Sequence, residues 1–145
     1  MTEAHTLTER QLDELLADPA IPAAHRALWA LLRDNNSRGD GLRLGDALSL
    51  SVGDIEFVDG PQDQGGRAGV DRPAKGEPWT VPISKHTAEL LRQTIGDREA
   101  GPALHVDGRP ISHEAASRTA RAAGVDSVHV FRSWGKRHQG RPPRP

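Results

Sequence analysis

The chain contains no tyrosine and no cysteine, and its whole aromatic complement is two Phe and three Trp. Without cysteine there is no disulfide, no thiolate chemistry and no Cys-based zinc site, a composition that fits a reducing cytoplasm. Without tyrosine there is no phenol hydroxyl to serve as a nucleophile. No apolar run approaches the ~20 residues needed to cross a membrane. The N-terminus also lacks the basic segment and apolar stretch of an export signal. Apolar residues make up only 35% of the 145 positions, so Ala and Leu must build most of the core. That favours helices over a sheet-dominated fold, in a chain long enough for one domain.

Net charge is −1, poor support for nucleic-acid binding taken alone, but the charge is unevenly distributed. Residues 1–65 hold 12 acids and 5 bases, a balance of −7, whereas residues 66–145 hold 8 acids and 14 bases, a balance of +6. The last fourteen residues carry Arg132, Lys136, Arg137, Arg141 and Arg144 and no acid. Such asymmetry allows a basic surface for phosphates, with Lys136, Arg137 and Arg141 as candidate DNA contacts; a solvated basic tail is the competing reading.

Local signals divide the chain into helices around a small β-region. Thr8-Glu9-Arg10-Gln11 fits a capping box ahead of the helical face Leu12, Leu15 and Leu16. Pro22 suits the start of a second helix carrying Leu28, Leu31 and Leu32, with Trp29 beside them. The polar run 34–40 ends it, and a third helix is expected from about Leu42 through Leu48. Ile55-Glu56-Phe57-Val58 and Trp79-Thr80-Val81-Pro82-Ile83 read as strands, with Pro82 confining the second to an edge or its end. They are expected to pair across a flexible loop at about 60–74. Ser84 and Ser112 are candidate caps of two further helices, Asp107-Gly108 is a turn, and Gly124 is a helix stop. A last helix is expected near Ser127, and residues 140–145 form a basic, Pro-rich tail that cannot continue it. The expected class is mainly α with a small antiparallel β-ribbon, an α+β fold.

Four ordered stretches carry a resemblance. They are Gly41-Leu42-Arg43-Leu44-Gly45-Asp46 leading into Gly53-Asp54-Ile55, Lys75-Gly76 ahead of Val81-Pro82-Ile83-Ser84, Gly108-Arg109-Pro110-Ile111-Ser112, and His129-Val130-Phe131-Arg132. In that order they resemble the catalytic domain of the tyrosine recombinases, the phage integrase family, over about residues 7–138. Residues 1–139 would then form an integrase-like catalytic domain, C-terminally truncated relative to the family. The resemblance implies metal-free, cofactor-free DNA strand transfer through a phosphotyrosine link. In it Arg43 and Arg132 clamp the scissile phosphate, Lys75 protonates the departing oxygen, His129 assists, and Asp46 braces the site. The residue types suit the task, since paired Arg forks match phosphate oxygens on which negative charge builds. Composition and periodicity do not select these four from nineteen Lys and Arg and seven His; the choice rests on the resemblance.

The departures have consequences. Ser133 follows Arg132 where the family often has His, and the family's Tyr belongs beyond the position of Pro145. A chain without Tyr cannot form the covalent intermediate by itself, and nothing aims an activating base at Ser133. The expected role is therefore a cytoplasmic DNA-binding relative of recombinases, with duplex DNA as partner and a full-length recombinase or a second copy as further candidates. The alternative is a protein-interaction module or a remnant of a mobile-element integrase without a DNA ligand. Each residue also has a plainer reading. Arg43 would brace a helix start, Lys75 would be a solvated loop residue, His129 a helix cap, Asp46 a favourable charge in a first helical turn, and Trp134 a core residue. The spacing of His105 and His113 does not suit a metal, and Gly65-Gly66 with Gly69 is no phosphate loop, since no Gly-Lys-Ser/Thr follows.

Overall fold

A computed structural model describes residues 8–34, 43–60, 64–72, 77–125 and 131. They form an α+β fold in the order α1 (Glu9–Ala17), α2 (Ala23–Arg33), α3 (Leu44–Leu48), β1 (Ile55–Phe57), β2 (Gln64–Arg72), β3 (Glu77–Ser84), α4 (Lys85–Ile95), β4 (His105–Val106), β5 (Arg109–Pro110) and α5 (His113–Ala122), with a 3₁₀ turn at Val52–Asp54 before β1. Local side-chain chemistry sets most helix starts. Thr8 accepts the Gln11 N–H at 3.0 Å while Gln11 Oε1 accepts the Thr8 N–H at 2.9 Å, so two otherwise unpaired donors of α1 are satisfied. Ser84 and Ser112 accept the N–H groups of Thr87 and Ala115 at the starts of α4 and α5.

Helix α2 is the centre of the fold. Ala24 and every residue from Ala27 to Leu32 are buried, so the helix is covered on all sides rather than along one stripe. Leu12 and Leu16 of α1, Leu44 and Ala47 of α3, Leu90, Leu91 and Ile95 of α4, and Ala116 and Ala120 of α5 share one hydrophobic core with it. Helix α5 presents the small buried side chains Ala116 and Ala120 to this core, and Thr119 Oγ1 lies 3.4 Å from His25 Nε2.

The β-region differs from the sequence expectation. Residues 64–72, read as flexible loop, form the middle strand of a three-stranded antiparallel sheet in the order β1-β2-β3. The two expected strands therefore do not pair with each other; each pairs with β2. The segment's Gly, Asp and Gln content is poor in strand-forming residues, which hid it. Its pairing is fixed by context: Ala68 and Val70 face the core alongside Val81 and Ile83, at the two-residue period of a strand. Gly66 is required by close approach, because a Cβ there would stand 2.6 Å from the Glu56 carbonyl oxygen. Strand β3 lies at the sheet edge, as Pro82 required. The Asp107-Gly108 turn between β4 and β5 has φ of 53° and 80°, the pair of positive values of a type I′ hairpin.

His25 gives the fold a testable pH response. The side chain is buried, its Nδ1 has no hydrogen-bond partner among the described residues, and burial lowers its pKa from the ordinary 6.5. A lowered folded-state pKa means that the stabilising contribution is full above 6.5 and is lost as pH falls through the lower folded value. The melting temperature of the wild type is expected to fall between about pH 7 and about pH 5 more steeply than that of His25→Gln, which cannot titrate. Parallel curves would show that His25 does not couple to folding.

Candidate nucleic-acid interface

Arg43 occupies the N-cap position of α3 in extended backbone, with φ −87° and ψ 164°, and its side chain is exposed. Leu44 and Ala47 are buried and hold α3 to the core, which fixes the origin of the Arg43 side chain. Asp46 meets Arg43 at the main chain: its Oδ2 accepts the Arg43 N–H at 3.2 Å. A carboxylate in the first turn is also favoured by the helix dipole. The same device recurs at once in the 3₁₀ turn, where Asp54 Oδ2 accepts the Ser51 N–H at 2.8 Å. Backbone bonds from Val52 N–H to Gly101 and from Ala103 N–H to Leu50, at 2.9 and 2.8 Å, fasten the segment to the loop before β4.

Lys75 belongs to the connection between β2 and β3, and His129, Arg132, Lys136, Arg137 and Arg141 follow α5; all six lie outside the described residues, as do Trp134 and the tail. Phe131 is described. It is helical and fully buried, and its ring stacks on Trp29 with centroids 4.8 Å apart and planes 10° from parallel. Phe131, which precedes Arg132 in the sequence, is thereby seated on α2, the helix against which α3 also packs.

A second junction ties α2 to the end of the β3 strand. Asp34, the C-cap of α2, is 5% exposed, and its Oδ2 accepts the Ser84 N–H at 3.0 Å. Burial raises the pKa of this carboxyl, while the Ser84 N–H, the Thr87 and Ser84 hydroxyls and the nearby Arg33 act against that rise. The contact joins the segment that runs on to Arg43 with the strand that follows Lys75. Sequence reading placed Asp34 in a polar turn, and no local signal marks a partner fifty positions away.

Sequence reading also passed over a cleft of about 380 Å³ between β1, β2 and α4, lined by residues that include Asp59, Lys85, Glu89 and Arg92. The Arg92 guanidinium lies 4.1 Å from the centroid of the Phe57 ring. The seven-residue spacing of Lys85 and Arg92 on one helical face was visible in the sequence; their closeness to Phe57 was not. Among the described residues no group of three or more His, Cys, Asp or Glu could hold a metal ion. His105 is engaged structurally: Nδ1 accepts the Gly108 N–H at 3.2 Å, which leaves Nε2 to donate to the Thr94 carbonyl at 3.0 Å. No helix of the described residues is long and apolar enough to cross a membrane.

Comparison with protein-family models, curated proteins and solved structures gives no match to this chain.

Proposed function

We propose that the chain is a DNA-backbone-binding domain of tyrosine-recombinase type, which grips phosphates but lacks the tyrosine for autonomous strand cleavage. The observation that carries this reading is the Phe131–Trp29 stack. It seats Phe131, the sequence neighbour of Arg132, on α2, and α3, with Arg43 at its start, packs on the same helix. Arg43 and Arg132 are the two guanidiniums assigned to the phosphate clamp, since each fork can give paired hydrogen bonds to phosphate oxygens. The chemistry stops at binding and charge stabilisation, because nothing in the chain replaces the absent nucleophile. A second copy or a full-length recombinase completing the reaction belongs to the same proposal.

The expected result with duplex DNA is binding at low salt that weakens linearly on a log–log plot, by about 0.9 per phosphate contacted. No protein–DNA adduct is expected to survive denaturation. Folded protein that ignores DNA at low salt would overturn the reading. A protein-interaction role would then gain from the acid-rimmed groove between α1 and the residues that follow α5, about 250 Å³, where Glu14 and Asp18 border Leu15 and Val125.

A further inference from the structure

The cleft beside α4 owes its shape to two small residues. A Cβ on Gly65 would stand 2.7 Å from Lys85 Cα and 2.9 Å from the Ala88 Cβ, so β2 meets the first turn of α4 without side chains between them. Four charged side chains surround that floor, and their engagements differ. Lys85 Nζ lies 3.6 Å from Asp59 Oδ1, but both side chains are well exposed, at 54% and 96%. Such a pair is weak and readily exchanged for another ion. The side chain of Arg92 has no hydrogen bond or ion pair among the described residues; its guanidinium lies over the Phe57 ring instead.

Arg92 is exposed, and that arrangement leaves the N–H groups of its guanidinium unspent while the ring gives the group a preferred resting place. A planar fork held in this way meets a tetrahedral anion with less ordering cost than a solvated Arg, and gives it two parallel hydrogen bonds. Lys85 lies seven residues earlier on the same face, about 10 Å along the helix axis. One Arg fork and one Lys point charge at that separation suit two phosphates of one strand. The cleft's balance of two cations and two carboxylates argues against a freely attracted polyanion. It suits a contact made after another site has fixed the strand.

Resting on the DNA-binding reading above, we propose that the α4 cleft is a second nucleic-acid contact, with Arg92 preoriented by Phe57 to take one backbone phosphate and Lys85 a neighbouring one. The test is the salt dependence of binding to one duplex oligonucleotide, with each variant's melting temperature recorded beside it. Arg92→Gln is expected to weaken binding several-fold and to flatten the log–log slope by about 0.9. Arg92→Lys, which keeps the charge but loses the planar fork, is expected to weaken binding with the slope unchanged. Phe57→Leu is expected to resemble Arg92→Lys. If wild-type protein binds with a steep salt dependence and Arg92→Gln matches it in affinity and slope, the cleft is not a contact, although the DNA-binding reading stands. If wild-type protein shows no salt-dependent binding, both fail together.

Discussion

Phe131→Ala is expected to lower the stability of the domain by about 3–5 kcal/mol, the usual cost of removing a fully buried ring. The side chain is 0% exposed and meets Trp29, itself fully buried, in a stacked arrangement. Stacked pairs of this kind add to the area term. Total stability of a domain this size is about 5–15 kcal/mol, so the loss removes a large share and is expected to lower the melting temperature by roughly 10–15 °C. Trp29→Phe makes the contrast. It keeps a ring against Phe131 and deletes an indole N–H that has no hydrogen-bond partner among the described residues. Relief of that buried donor, worth about 1–3 kcal/mol, offsets part of the lost volume, so this variant is expected to cost much less. Thermal and urea denaturation followed by circular dichroism measure both. A Phe131→Ala loss below about 1 kcal/mol would mean that the stack does not seat Phe131 on α2.

The second large effect is at Asp34, where two substitutions are expected to separate charge from hydrogen bonding. Asp34→Ala deletes the acceptor of the Ser84 N–H. A buried donor left without a partner costs about 1–3 kcal/mol, and the junction between α2 and the start of α4 loosens with it. Asp34→Asn retains a carbonyl oxygen for that N–H and removes the buried charge. The sign of the pH effect follows from the raised pKa. A carboxyl whose folded value exceeds the ordinary 3.8 contributes stability that is full below 3.8 and is lost as pH rises through the folded value. At neutral pH the charged side chain therefore detracts from stability, and Asp34→Asn is expected to equal or exceed the wild type. Below pH ~4 that advantage should shrink or reverse. Melting temperatures of both variants from acid to neutral pH decide it. An Asn variant as unstable as the Ala variant at neutral pH would show that the negative charge itself holds the junction.

What was legible in the sequence is what local chemistry determines. Thr8 with Gln11, Ser84 and Ser112 satisfy N–H groups three residues away, and Asp107-Gly108 carries its turn geometry in its own residue types. The mixed class and the edge position of the Pro82 strand followed from the same kind of reasoning. Strand β2 was illegible because its residues are weak strand formers and its order comes from neighbours on both sides. The Phe131–Trp29 stack, the Asp34–Ser84 bond and the Arg92–Phe57 contact escaped for one reason: each joins residues at least 35 positions apart, and no local pattern encodes such a partner. Of the candidate site, Arg43 and Asp46 are placed at a helix start. There the acid holds the main-chain N–H of Arg43, a role that phosphate binding and plain capping share.

The central claim is a phosphate grip by Arg43 and Arg132, and the most direct measurement is duplex DNA binding at low and high salt by wild-type protein and the Arg43→Ala/Arg132→Ala double variant. Binding by the wild type that collapses at high salt, and that a folded double variant loses even at low salt, is the expected result. Equal binding by the two proteins, or none by folded wild type at low salt, would contradict it.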